Sequence, residues 1–199
     1  MDGRFDRVYY DRYYGDPRTS VTSRAEMDAR GRMIGCYARY LGVPVKRVLD
    51  AGCGVGLLRA SLTRELPKAR YTGLEISSYL CEKYGWERAS LESFRDDQPF
   101  DLVVCYDVLQ YLEDRRAARA LGNLGRLCRG LLYFSALTCE DWRHNCDRGR
   151  TDGSVHLRSG DWYRKRLRRG FREIGAGFWL HRRAPLPLWE MERVGRRRP

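Results

Sequence analysis

Short apolar runs alternate along this chain with stretches in which apolar residues return every three or four positions. From Arg24 to Leu41, residues Met27, Ile34, Tyr37, Ala38 and Leu41 recur at helical spacing, and Pro44 closes the segment. VKRVLDAG then leads into a helical pattern over Leu57–Leu66, and RYTGLEI into one over Ser77–Tyr84. ERASL and FDLVVC follow as strands. The clearest helix places Ala117, Ala120, Leu121, Leu124, Leu127 and Cys128 on one face, and GLLYFSAL after it is another fully apolar strand. Strands that are apolar throughout, alternating with helices, predict an α/β fold with a parallel sheet covered on both faces. Right-handed crossovers make such a sheet doubly wound.

The pattern changes after Leu137. Residues 138–160 are polar, carry Trp142, two histidines and two cysteines, and show no period. Asp161 is expected to cap a basic helix running to Arg169. FREIGAGFWLHR and LPLWEMERV, on either side of Ala184-Pro185, read as a closing antiparallel hairpin. Residues 1–22 are rich in Tyr and Arg, contain Gly15-Asp16-Pro17, and read as a mobile or docking arm. The expected organisation is a single domain over 1–199. It comprises an arm and helix (1–44), a core (45–137), a lid-like insertion (138–160), and a C-terminal helix and hairpin (161–199).

A length of 199 residues with 43% hydrophobic and 12% aromatic content supports one packed core and excludes a disordered chain. No apolar run approaches the ~18 residues of a membrane span, so no membrane partner is expected. The N-terminus offers no apolar stretch of the signal-peptide kind, which predicts a cytoplasmic protein. Seven cysteines without paired spacing fit reduced thiols in that compartment. The net charge is +12, yet 38 basic residues include only four lysines (Lys46, Lys68, Lys83 and Lys165), and the arginines are spread over nearly every segment. This reads as solvated charge, with a basic face for nucleic acid as the alternative.

The most informative stretch is Val48-Leu49-Asp50-Ala51-Gly52-Cys53-Gly54-Val55-Gly56, a buried strand running into three alternating glycines and then a helix. Glycines let the backbone turn tightly and approach a ligand, and a helix N-terminus supplies free N–H groups. The spacing is neither the G-x-G-x-x-G of dinucleotide binders nor a phosphate loop with its Lys-Ser/Thr. By itself it fits a tight strand–helix turn as well as a ligand loop. Glu75 ends the next strand, where a carboxylate can accept the hydroxyls of a ribose lying over the loop. Asp50, at the strand tip, is placed to order the loop or to meet a cationic part of a ligand.

With these residues the sequence resembles the class I S-adenosylmethionine-dependent methyltransferases. VLDAGCGVG is similar to their first motif, GLEIS to the second, and FDLVVCYDVLQYL to the fourth-strand motif, over roughly residues 45–137. The resemblance implies a Rossmann-like seven-stranded mixed sheet of order 3-2-1-4-5-7-6 with helices on both faces. It also implies S-adenosyl-L-methionine as cofactor, leaving S-adenosyl-L-homocysteine. Carried over to this chain, Asp50, Ala51, Gly52, Cys53, Gly54 and Gly56 would form the loop around the methionine and ribose, and Glu75 would hold the ribose. Ile76 would pack on the adenine. Ser90 and Leu91 fall in the adenine-holding loop, with Ser90 where the family usually has an acid. Tyr106 would face the methionine end and the acceptor.

In methyl transfer the cofactor carries the reactive group, and the protein supplies binding and alignment. An Asn/Asp-Pro-Pro-aromatic turn for base amino-methylation is absent after the fourth strand, and no cysteine follows a proline, which disfavours cytosine C5 chemistry. Tyr13, Tyr14, Trp142 and Trp162 are the expected substrate contacts on two lid segments. His144, His156 and Tyr14 are candidate bases. Cys139, His144, Cys146 and His156 match no standard zinc spacing, so no metal is expected. The expected function is transfer of a methyl group to an oxygen or nitrogen of a small-molecule acceptor. Two alternatives stay open. One is an RNA or protein methyltransferase using Tyr163–Arg172 and the tail Arg196–Arg198, and the other is a non-catalytic cofactor-binding or partner protein.

Overall fold

The structure, a computed structural model, describes residues 3–192 and Val194; the arginines 196–198 of the basic tail lie outside them. Seven strands form one sheet: β1 (Arg47–Ala51), β2 (Arg70–Glu75), β3 (Glu87–Arg88), β4 (Phe100–Tyr106), β5 (Cys128–Ser135), β6 (Phe171–Gly175) and β7 (Phe178–His181). Their order is β3-β2-β1-β4-β5-β7-β6. β7 runs antiparallel to both β5 and β6, and the remaining pairings are parallel. The expected fold class and strand order are both present.

The apolar strands feed two cores because successive side chains point to opposite faces. On one face Leu49, Val103, Cys105, Leu132 and Phe134 pack under α5 (Asp114–Leu127) and α7 (Gly160–Leu167). On the other face Val48, Leu102, Val104 and Leu131 meet α2 (Arg24–Tyr40) and α3 (Arg59–Glu65). β4 holds this alternation across a register shift between Phe100 and Leu102. At that point Asp101 turns inward and accepts hydrogen bonds from the N–H of Lys46 and Arg47 (2.8 and 3.0 Å) and from Arg129 Nε (2.6 Å). These bonds hold its carboxyl below the usual range although burial opposes them.

Four expectations are corrected. The closing hairpin turns at Gly175-Ala176-Gly177, where all three residues have positive φ, and not at Ala184-Pro185. Residues 182–189 form no strand, because two glycines flanking Ala176 make the tighter reversal. α7 is capped by Ser159, whose hydroxyl accepts from the Trp162 N–H, and Asp161 lies in the first turn. Residues 138–160 contain a helix, α6 (Cys139–His144), with Thr138 and Asp141 forming a capping box. The arm is folded: α1 (Arg7–Tyr10) continues into one π-turn, Asp11–Gly15, and Phe5 and Tyr10 are buried. Among the described residues no helix is long and apolar enough to cross a membrane.

α2 lies directly on α3. A Cβ at Gly35 would run into the Cβ of Glu65, with Glu65 Cγ at 3.1 Å, whereas a Cβ at Gly122 on α5 would meet nothing within 4 Å. Gly122→Ala should therefore gain about 0.5–1 kcal/mol from helix propensity. Gly35→Ala should instead lose stability through overpacking, which costs about 1–3 kcal/mol. Urea midpoints at unchanged m check both; a stabilised Gly35→Ala would refute the close helix contact.

Candidate functional site

β1, β2 and β4 end side by side at one edge of the sheet. After β1 the backbone passes through Gly52, Gly54 and Gly56 at φ of +78°, +52° and +76°, a region closed to most side chains. The N–H groups of Gly52 and Cys53 both donate to the Leu74 carbonyl, at 2.7 and 3.1 Å. Glu75 is buried at the end of β2. Its Oε2 accepts from the Gly54 N–H (2.9 Å), and its Oε1 from the N–H groups of Ile76 (2.7 Å) and Ser77 (3.1 Å). A carboxylate offers about four lone-pair positions, so Oε2 retains capacity for one further donor. A second ligand hydroxyl on Oε1 would share that oxygen with two backbone N–H groups.

Gly56 serves a different neighbour. A Cβ there would stand 2.8 Å from the Trp86 ring, and one at Gly73 would stand 2.6 Å from it. The indole lies under the loop and donates from Nε1 to the Gly54 carbonyl at 2.9 Å. Asp50, at the end of β1, accepts a 2.6 Å hydrogen bond from the Tyr71 hydroxyl. Burial pushes its carboxyl up to about 6 against that bond, and the nearby Glu75 charge adds to the rise.

Beyond β4 the chain makes a tight turn through Asp107, a non-glycine residue at φ +55°. Burial pushes the Asp107 carboxyl up to about 6, while the Tyr106 hydrogen bond and the Arg30 charge pull it down. Arg30, on α2, lies over the Tyr106 ring at 4.3 Å and donates to the Tyr133 hydroxyl at 2.7 Å. The turn continues into a 3-10 helix, Leu109–Tyr111. Residues 138–160 brace this turn from outside: the His156 N–H donates to the Gln110 carbonyl (2.7 Å), and the buried Arg158 guanidinium donates to the carbonyls of Leu109 (3.0 Å) and Leu112.

Two adjoining cavities open at this edge. The inner one, about 100 Å³, is walled by Glu75, Ile76, Ala89, Ser90 and Leu91 below and by Phe5, Tyr9 and Tyr10 of the arm above. The outer cleft, about 910 Å³, runs past Asp50, Cys53 and Gln110 to residues 145–147 and 150–152. Tyr14, Gly52, Gly54, Tyr106, Asp107 and Tyr111 line both. The arm is tied down by Arg4, which donates to Asp152 (2.7 Å) and to the Ser154 carbonyl (2.6 Å), and by a 3.0 Å bond between the Tyr9 and Tyr111 hydroxyls.

Most of the residues singled out from the sequence converge here, namely Asp50, Gly52, Cys53, Gly54, Glu75, Ile76, Ser90, Leu91, Tyr14 and Tyr106. Others do not reach either cavity. Ala51 is buried within β1 and Gly56 faces Trp86. Tyr13 packs at a tilt against Tyr9, ring centres 4.8 Å apart, under Arg12. Trp142 packs near Gly153 inside its own segment. Trp162 is held between Arg158 (4.8 Å) and Arg166 (3.5 Å) against the α5 core. His144 and His156 are exposed and line neither cavity. Among the described residues no three His, Cys, Asp or Glu side chains converge as a metal site. In the basic segment 163–172, Arg164 and Arg168 both pair with Glu173, at 3.0 and 2.9 Å. Asp107, Gln110 and Tyr111 were missed. Their only sequence signal is position, just past the fourth strand at the carboxyl edge of the sheet, where ligands bind in doubly wound folds.

Residues 49–130 match a family described as methyltransferase domain. Trans-aconitate 2-methyltransferase of Pseudomonas aeruginosa is 34% identical over 88 residues, which cover 40% of this chain and 32% of that protein. Ubiquinone biosynthesis O-methyltransferase of Aromatoleum aromaticum is 32% identical over 114 residues, covering 50% of this chain and 47% of that protein. The matches thus span a third to a half of these relatives' length. In structure, the chain is similar to magnesium protoporphyrin IX methyltransferase of Synechocystis, solved with S-adenosylhomocysteine, at a TM-score of 0.61 and 22% identity over 90% of this chain and 95% of that one. That likeness concerns the fold.

The raised Asp107 carboxyl has a measurable cost. A group that titrates higher in the folded chain contributes stability that is full below its unfolded pKa and lost as pH rises through the folded value. Asp107→Asn keeps the shape and tolerates positive φ. It should therefore match the parent near pH 3 and be more stable by about 3 kcal/mol at pH 7.5, since each pH unit by which the carboxyl is raised is worth about 1.4 kcal/mol. Urea titrations at both pH values check this; an equal or lower stability of the variant at pH 7.5 would show the carboxylate is well compensated.

Proposed function

We propose that this chain, whose residues 49–130 match a methyltransferase-domain family, is a class I S-adenosylmethionine-dependent methyltransferase, that the inner cavity and glycine loop bind S-adenosylmethionine, and that the outer cleft presents a small-molecule acceptor for O- or N-methylation. The observation that carries this reading is the glycine loop pinned by Glu75 at the mouth of a chamber continuous with a larger cleft. The residues fit the cofactor. Glu75 Oε2 keeps one accepting position for a ribose hydroxyl, and Ile76, Ala89 and Leu91 give flat apolar walls for adenine beside the Ser90 hydroxyl. Asp50 is a buried carboxylate without an ion pair among the described residues, which suits a cationic group. When bound, S-adenosylmethionine supplies an electrophilic methyl group on a sulfonium.

The chain's own residues bind, align and exclude water. Phe5, Tyr9, Tyr10 and Tyr14 roof the chamber, and residues 145–152 wall the cleft, so the arm and the 138–160 segment act together as a lid. The seven free thiols suit a cytosolic setting, where cysteines stay reduced. Incubation with labelled S-adenosylmethionine and a metabolite extract, followed by identification of the labelled product, tests the activity directly.

Calorimetry tests the binding site. Gly54→Val would place a branched side chain at φ +52°, strained for an L residue, with its Cβ in the open space of the cavity and 4.0 Å from Tyr10. By taking up the ligand's room it should weaken S-adenosylhomocysteine binding about tenfold. Affinity equal to the parent in a folded variant refutes the placement. Deletion of residues 1–16 should leave the sheet folded with weakened cofactor binding and no turnover. In the full chain, hydrogen exchange at residues 4–14 and 145–152 should slow together when ligands are added. Normal turnover of the truncated protein refutes the lid.

A further inference from the structure

We propose, building on the methyl-transfer reading of the same cleft, that the acceptor carries a protonated amine, received by the Asp107 carboxylate and the Gln110 side-chain carbonyl between the rings of Tyr14 and Tyr111. The chain carries +12, yet the outer cleft is acidic. Five carboxylates line it against Arg24 and Arg150. Three of the five are engaged. Glu26 closes the α2 capping box, Asp152 pairs with Arg4 at 2.7 Å, and Asp147 stands 3.9 Å from Arg150. Asp50, at the glycine loop, is the carboxylate assigned to the cofactor's cationic end. Asp107 remains, on the neighbouring strand end, with no ion pair among the described residues, the Arg30 charge reaching it without closing to ion-pair distance.

Gln110 supplies an independent sign of a missing partner. It is 3% exposed and lines the same cleft, and its Oε1 has no hydrogen-bond donor in the protein. Buried amide oxygens are normally satisfied, so an orphan at a cleft wall marks where a ligand donor belongs. An ammonium brings three N–H donors and no acceptor, which matches one carboxylate plus one amide oxygen. A hydroxyl head group brings one donor and would leave one of the two oxygens unmet. A carboxylate head group would face Asp107 with like charge. Tyr14 and Tyr111 line the same space, and burial keeps both hydroxyls protonated, so their neutral rings can receive a cation. The adjacent Tyr106 ring already carries one, the Arg30 guanidinium at 4.3 Å.

The test uses the full chain saturated with S-adenosylhomocysteine and three probes that share a ring and differ in head group: 2-phenylethylamine, 2-phenylethanol and 3-phenylpropionate. Affinities are read by calorimetry or ligand-observed NMR at pH 7.5. The amine should bind at least about tenfold tighter than the alcohol or the acid, the worth of one charged hydrogen bond. Asp107→Asn should abolish that preference. Gln110→Met should weaken the amine about threefold or more, and this variant, whose side chain lines only the outer cleft, should keep its S-adenosylhomocysteine affinity. Equal or tighter binding of the alcohol or acid, no amine binding, or an amine preference that survives Asp107→Asn overturns the amine assignment. Those results leave the methyltransferase reading intact. Failure of the parent protein to bind S-adenosylhomocysteine overturns that reading instead.

Discussion

The functional edge of this protein depends on one buried carboxylate. Glu75 sits where β2 stops and takes hydrogen bonds from a glycine of the loop after β1 and from the first two N–H groups beyond its own strand. Parallel strands leave their last backbone groups unpaired at the carboxyl edge, and a buried N–H without a partner is costly. One side chain meets three of these needs at once, so the shape of the loop and the path into the following helix, α4 (Ser78–Tyr84), are set together. The loop can then leave its inner side to a ligand. Trp86 supports it from the opposite side through Gly56 and Gly73, whose missing side chains make room for the indole.

A second constraint is the distribution of charge. Arginines cover the surface and settle locally on acids, as Arg164 and Arg168 do on Glu173 and Arg129 on Asp101. At the site the balance reverses. Asp50 is buried and Asp107 half-buried, neither forms an ion pair among the described residues although the Arg30 charge reaches Asp107, and both carboxyls are pushed up to about 6. Ordinary folding would select against two such groups. Their presence at the ends of adjacent strands, β1 and β4, means that the free protein holds destabilising charge at the place where a cation is to be received.

The arm and the 138–160 segment convert this edge into an enclosed site. They touch each other through Arg4 and Asp152, and each also touches the turn after β4, through Tyr9 on Tyr111 and through Arg158 and His156 on residues 109–112. The turn that carries Asp107 and Gln110 is therefore held by both segments. The aromatic residues divide accordingly: Phe5, Tyr9, Tyr10 and Tyr14 face the chamber, while Tyr13, Trp142 and Trp162 pack the lids and the core.

The sequence by itself determined the alternation of strands and helices, the glycine loop, Glu75 and Asp50, because these follow from short-range patterns: continuous apolar runs, helical spacing and glycines at a strand–helix junction. The strand order came only with the family resemblance. Tertiary structure alone decided the rest, since it turns on contacts between residues far apart in the chain. Only the seating of Trp86 shows that Gly56 serves packing, and only two arginines closing on Trp162 turn it away from the cleft. Gly175 and Gly177, each at positive φ, draw the hairpin turn away from Ala184-Pro185. His144 and His156 look reactive in a list of residue types, yet the folding of 138–160 leaves both on the outside. Asp107 and Gln110 lie within the fourth-strand motif, yet nothing local singles them out there. Their importance comes from burial without a matching partner, which exists only once the sheet edge, the turn and the two lid segments have come together.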